Sequence, residues 1–261
     1  MNAHSAGDFA DRAGAALVIG GSGGLGRAVV RMLGERGSAV VATYRSGREQ
    51  VELAVSEAAA YGARGEARPL DTSDPAACAE LVADVVARYG GLHTLVYAAG
   101  PHVPMKHLSR VDPADLDTQL GADAGAFFRV VSTCLPALRE ARGSIVAVTT
   151  AATSRFPVRD GLSSAPKAAV EALVRGLAVE EGRFGVRVNS VGPGMLTDGM
   201  ADRLIRSGEL DERALEVTRG NIPLRRFGQA VDIAEAVCFL ASDRAGFISG
   251  QKLDVDGGYS A

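Results

Sequence analysis

The sequence predicts an α/β chain: a single doubly wound parallel sheet of about seven strands flanked by helices. Three observations carry this. Short apolar, β-branched runs alternate with stretches whose apolar residues recur at helical period. Glycine is abundant, 32 residues, and falls where helices should stop. The 261 residues are 47% hydrophobic and 23% charged, near globular averages, with no linker, repeat or low-complexity tract to divide them.

The elements follow in order. Residues 1–14 read as a flexible leader, without the charged and apolar regions of a signal peptide; residues 15–261 read as one domain. The first strand is 15–19. A helix follows, with Leu25, Ala28, Val29, Met32 and Leu33 on one stripe and Gly37 beyond its end. Strands are expected at 39–43, more weakly at 67–70, then at 94–98 after Gly90 and Gly91, and at 144–149. A helix over 166–181 repeats the stripe with Val170, Leu173, Val174 and Leu177. Strands at 186–190 and 251–255 complete the pattern. Strands separated by helices make βαβ units, hence a parallel sheet covered on both faces.

Composition excludes several classes. Lys+Arg total 28 against Asp+Glu 31, a net charge of -3, so no basic excess exists for a nucleic-acid backbone. Aromatics are 5% with no Trp, too few for base stacking. No apolar run reaches the ~18–20 residues of a membrane span. Cys78, Cys134 and Cys238 are distant and odd in number, which implies reduced thiols in a cytoplasmic protein. His93, His102 and His107 fit no familiar metal spacing, so no metal is expected.

The first strand runs into Gly20-Gly21-Ser22-Gly23-Gly24-Leu25-Gly26 and then a helix. Gly21, Gly23 and Gly26 spell G-x-G-x-x-G; Gly20, Gly24 and Gly26 spell G-x-x-x-G-x-G. Residues without Cβ let the backbone turn and approach a pyrophosphate, and the helix N-terminus offers it free N–H groups. In this strand–loop–helix context the motif predicts a Rossmann-type dinucleotide site. The second strand ends Thr43-Tyr44-Arg45-Ser46 with no acid before Glu49. An NAD site places a carboxylate here for the ribose 2′-OH. Arg45 and Ser46 instead suit a 2′-phosphate, with Arg27 approaching from the loop, so the cofactor expected is NADP(H).

These and further motifs resemble the short-chain dehydrogenase/reductase family over nearly the whole chain. Leu70-Asp71-Thr72 is similar to its adenine-contacting turn, and Tyr97-Ala98-Ala99-Gly100 stands where it has Asn-Asn-Ala-Gly. Arg187 to Gly194 resembles its sixth strand and nicotinamide-side turn, which implies cofactor contacts from Pro193, Gly194, Met195 and Leu196. Val255-Asp256-Gly257-Gly258 resembles its C-terminal signature. The resemblance implies a small-molecule substrate, a substrate lid near 197–221 containing Arg203, Arg206, Arg213 and Arg219, and a homotetramer or at least a dimer. The 166–181 helix supports the last point: it has more small and apolar residues than one buried face needs.

The family's Asn-Ser-Tyr-Lys tetrad reads here as Asp123, Thr150, Ser163 and Lys167. The resemblance assigns Lys167 to the nicotinamide ribose. A tyrosine beside a lysine can give a proton to the alkoxide left by carbonyl reduction; a serine hydroxyl starts at far too high a pKa. Ordinary alcohol–ketone interconversion is therefore disfavoured. Hydride addition to a conjugated C=C leaves an enolate, which Thr150 and Ser163 can hold as in an oxyanion hole while water protonates the carbon. Thr149-Thr150, then Ser163-x-x-x-Lys167, is similar to the 2,4-dienoyl-CoA reductase branch, although that branch's Tyr position is Ala152 here. The position of the enoyl-thioester reductases' Tyr is Asp160. Tyr97, Asp160 and Asp123 remain as candidates for the missing donor. The expected activity is NADPH-dependent reduction of an activated C=C, such as an enoyl thioester. A non-redox isomerase, dehydratase or cyclase and a nucleotide-binding pseudoenzyme stay open as alternatives.

Overall fold

The computed structural model describes residues 7–101, 103–197 and 212–261. Seven strands form one parallel sheet: β1 (Ala15–Ile19), β2 (Ala39–Tyr44), β3 (Gly65–Pro69), β4 (Leu92–Tyr97), β5 (Ser144–Val148), β6 (Arg187–Pro193) and β7 (Lys252–Val255). Their order is β3-β2-β1-β4-β5-β6-β7. The described helices are α1 (Gly24–Glu35), α2 (Arg48–Ala59), α3 (Pro75–Tyr89), α4 (Pro113–Leu120), α5 (Ala126–Glu140), α6 (Gly161–Glu181), α7 (Glu212–Asn221) and α8 (Ala230–Ala241).

Side chains alternate across each strand, so one strand feeds two cores. Leu17 and Ile19 of β1 join Leu95, Phe127, Val131, Val170 and Val174 under α3, α5 and α6. Ala16 and Val18 join Val29, Leu33, Val51, Ile233 and Val237 under α1, α2 and α8. These faces are fully buried, which is why the strands read as apolar runs rather than alternating ones. The chain reverses its direction of winding between β1 and β4. In such sheets ligands bind beyond the carboxyl ends of the strands at that switch point. Ile19 pairs with Tyr97 there, and Val148 with Val191 further along.

Three local expectations are corrected. Residues 7–14 are packed, not loose: Phe9 is buried and stacks on His93 with centroids 5.8 Å apart, and Asp8 pairs with Arg36 at 3.1 Å. Their polar composition hid two long-range partners. The strand expected at 67–70 lies at Gly65–Pro69, paired to β2 from Val40 with Gly65 onward. The helix expected from Pro166 begins at Gly161, leaving Pro166 inside it. Proline's missing N–H normally favours a helix start, so the misplacement follows from propensity. The consequence is that Ser163 stands on the helix with Lys167, one turn apart.

Among the described residues, no helix is long and apolar enough to cross a membrane.

Candidate active site

The glycine loop is shaped by close approach. Gly20 has φ +87°, and a Cβ on it would lie 2.8 Å from Ala99 Cα. A Cβ on Gly26 would lie 2.1 Å from the Gly20 carbonyl oxygen, so only glycine lets α1 meet the end of β1. Gly23, the α1 N-cap, has room: its Cβ would meet only the Gly20 oxygen, at 3.6 Å. No side chain caps α1. The helix N-terminus therefore opens on a cleft of about 570 Å³ whose floor includes Gly23, Gly24, Leu25 and Gly26. This open cradle fits a pyrophosphate.

The same cleft is lined by Ala98, Ala99 and Gly100 from the end of β4, and by Pro193, Gly194, Met195 and Leu196 from the end of β6. Asp123, Thr150, Ser163 and Lys167 also line it. Ser22, Tyr44, Arg45, Ser46, Asp71 and Thr72 lie outside its walls, as does Gly20 beneath the loop. Arg45 and Ser46 are exposed, and Arg45 is near enough to Asp71 to help hold that carboxyl low. The main cause of Asp71's depressed pKa is its bonds from Ser73, 2.9 Å from the backbone N–H and 2.7 Å from the hydroxyl. Thr72 accepts from Arg129 Nε at 3.1 Å through its carbonyl. The Ser22 side chain packs beside Gly47, in the turn that follows Ser46.

Asp123 sits on one π-helical turn, Gly121–Gly125, inserted between α4 and α5. Such a turn adds a residue and re-aims the side chains around it. Asp123 is buried, and its Oδ1 lies 3.0 Å from Lys167 Nζ. The ammonium also donates to the Val148 carbonyl at 3.4 Å. Gly100 leaves it space: a Cβ there would stand 3.4 Å from Nζ. Thr150 opens the short turn Ala151–Thr153 and accepts from the Ala152 N–H at 3.2 Å. A threonine that accepts there keeps its own proton for a ligand. Thr149 instead donates into the sheet, to the Val191 carbonyl at 3.3 Å.

Tyr97 is not brought into the cleft. It is 1% exposed and meets Phe127 edge-on at 5.3 Å, inside the core. Burial, then the charge of Asp123, pushes its phenol well above its usual range. The even register of β4 decides this, because Tyr97 shares the inward face with Leu95. His93 is buried and bonded to Ser38 and Thr94, and His107 is exposed. His102 lies outside the described residues. So does most of the expected lid, residues 198–211 with Arg203 and Arg206; Arg213 and Arg219 are exposed. Among the described residues, no group of three His, Cys, Asp or Glu side chains is placed to hold a metal.

The structure adds walls that sequence reasoning missed. Tyr259, near the C-terminus, lines the cleft under Arg155, whose guanidinium stands 4.5 Å from the ring centroid and bonds the Tyr259 carbonyl at 2.8 Å. Behind Thr150, Lys252 ties the turn down: its Nζ donates to Thr153 at 2.5 Å and Ser154 at 2.8 Å, and pairs with Asp254 at 2.9 Å. No short motif spans such separations, so no local signal marked them.

The family model described as enoyl-(acyl carrier protein) reductase matches residues 20–260. The chain is 34% identical over 249 residues to versicolorin reductase 1 of Aspergillus parasiticus, covering 93% of this chain and 95% of that protein. It is 34% identical over 244 residues to the 3-oxoacyl-(acyl-carrier-protein) reductase FabG of Staphylococcus aureus, covering 93% and 96%. A short-chain dehydrogenase/reductase structure from Burkholderia xenovorans superposes with a TM-score of 0.91 at 32% identity, covering 98% of each chain. Levodione reductase superposes at 0.89 with 27% identity, covering 97% of this chain and 98% of that one. With the glycine loop, the seven-stranded order and the Lys167 helix already in place, the chain belongs to the short-chain dehydrogenase/reductase family of oxidoreductases.

Proposed function

We propose that this protein is an NADPH-dependent reductase of a C=C conjugated to a carbonyl, with an enoyl thioester as the representative substrate. One observation carries the reading. At the family's tyrosine position stands Ser163, and the Lys167 charge that would acidify a donor there is engaged by Asp123 at 3.0 Å. An alkoxide needs a strong proton donor; an enolate oxygen needs only hydrogen bonds.

The open glycine cradle fits the cofactor's pyrophosphate, and Lys167 and the 193–196 turn would hold the nicotinamide end. Bound there, the reduced nicotinamide supplies a hydride. Arg45 and Ser46 would hold the 2′-phosphate. Thr150 and Ser163 would donate to the carbonyl oxygen of the substrate, and the apolar walls around Met105 and Ile222 keep bulk water from it. The description of the matching family supports the enoyl class. The name of the staphylococcal relative supports a second class, a 3-oxoacyl thioester.

The test is loss of NADPH absorbance with matched enoyl and 3-oxoacyl thioesters. Faster consumption with the enoyl substrate is expected. Preference for the 3-oxo substrate would overturn the reading. Product without absorbance change would mean non-redox chemistry, and tight binding without turnover a nucleotide-binding pseudoenzyme; either result would also overturn it.

A further inference from the structure

Hydrogen bonds to an enolate oxygen leave one step without a named agent: protonation of the α-carbon. Asp160 lines the same cleft as Ser163 and Lys167. It stands at the N-cap of α6, three residues before Ser163 and seven before Lys167, on the same helical face. At this cap its side chain does not bond the helix backbone. Its Oδ2 accepts instead from the Ser164 hydroxyl at 2.6 Å. Ser164 is buried, so this bond fixes the carboxyl group's rotation.

Among the described residues, none offers the carboxylate a counter-charge. Leu108 covers the adjacent backbone so closely that a Cβ on Gly161 would lie 2.4 Å from Leu108 Cδ2. Arg159, next in sequence, turns away and donates to the Met105 carbonyl at 2.9 Å. Among the described residues, the cleft's other charged side chains are Lys167 and Asp123, and they are paired with each other. Burial therefore raises the Asp160 pKa, against the opposing pull of the Ser164 bond.

We infer that Asp160 is the catalytic acid that protonates the substrate's α-carbon. The inference rests on the conjugated-alkene reading above. Ser163 is one helical turn away, about 5–6 Å between Cβ atoms. Ser163 and Thr150 hold the oxygen, and Asp160 reaches the carbon beside it. The enolate's electron pair forms the new C–H bond. The Asp160 O–H bond breaks, with its electrons kept by the carboxylate. The hydride that made the enolate comes from reduced nicotinamide, and solvent reprotonates Asp160 through the cleft mouth.

The experiment uses a 2-methyl-2-enoyl thioester, whose α-carbon becomes a stereocentre on protonation. Wild type should give one product enantiomer. Asp160→Asn should lower kcat by about 10²-fold or more with a smaller change in KM, and should give a mixture, since water then protonates either face. Asp160→Glu should recover part of the selectivity. A second readout needs no turnover: isotope-edited infrared titration with NADP⁺ bound, using Asp160→Asn to assign the band. The midpoint should lie above the ordinary ~3.9 of an aspartate. A midpoint at or below that value overturns the proposal. Wild-type selectivity retained by Asp160→Asn, or lost instead in Tyr259→Phe, overturns it and leaves the reductase reading standing. If wild type consumes no conjugated alkene, the reductase reading falls and this step falls with it.

Discussion

Lys167 Nζ lies 3.0 Å from Asp123 Oδ1, and both side chains are almost out of solvent, at 13% and 4% exposure. The family's usual residue at position 123 is neutral, so in this chain a carboxylate takes up charge that a lysine would otherwise direct at a hydroxyl. A buried ion pair of this kind is costly to break and cheap to replace whole. Lys167→Ala should destabilise the fold by about 3–5 kcal/mol by leaving Asp123 buried and alone. The double variant with Asp123→Ala should be more stable than Lys167→Ala. Urea denaturation of wild type and the two variants checks this, and both Lys167 variants should bind NADPH more weakly.

Cofactor choice should follow Arg45. NADPH is expected to bind at least ~10-fold tighter than NADH, about 1.4 kcal/mol. Arg45→Asp should abolish or reverse the preference. Fluorescence titration with both nucleotides measures it, and equal affinities in wild type would rule it out.

Restoring a phenol should restore ketone chemistry only in part. Ser163→Tyr places the donor beside Lys167, but Asp123 still holds the ammonium. Ketone reduction should rise modestly in Ser163→Tyr and further in Ser163→Tyr/Asp123→Asn, because the freed charge lowers the phenol's pKa. Assays on matched ketone and enone substrates test the order. Strong wild-type ketone reduction would contradict it.

Stability should fall in acid because of His93. Burial depresses its pKa from 6.5 to about 4. Between those values the unfolded chain binds the proton and the folded chain resists it. The contribution is therefore intact above about pH 6.5 and disappears as pH falls to about 4, roughly 3 kcal/mol in all. His93→Gln should flatten that part of the stability–pH curve, measured by denaturant melts. An unchanged curve would assign the acid sensitivity to other groups.

Self-association is expected through α6. Its outer side presents Val179 at 83% exposure, with Phe184 just beyond its end. Sedimentation should show a tetramer, or at least a dimer, at micromolar concentration. Val179→Glu should shift it toward smaller species. A stable wild-type monomer would refute the expectation.

The sequence by itself determined what depends on local spacing. Glycines at 20 and 26 close a tight local turn: Gly20 has φ +87°, and a Cβ on Gly26 would strike the Gly20 carbonyl oxygen. Ser163 and Lys167 share a helix, so their four-residue spacing sets their relation without tertiary help. The strands β1, β2 and β5 are visible because burial on both faces demands unbroken apolar runs, whereas the half-exposed β3 carries only a weak signal. Only the tertiary structure decided which polar groups meet. Asp123 and Lys167 are 44 residues apart and are joined by a π-helical turn that no composition signals. Tyr97 read as a cleft residue until the pleat turned it into the core, while Tyr259 entered the cleft from the far end of the chain. Asp160 is one of three candidate donors by sequence, and only the fold sets it half-buried in the cleft wall with its carboxyl held by Ser164. Desolvation and charge pairing depend on distance through space, and in a doubly wound sheet the strand order, not position along the chain, sets that distance.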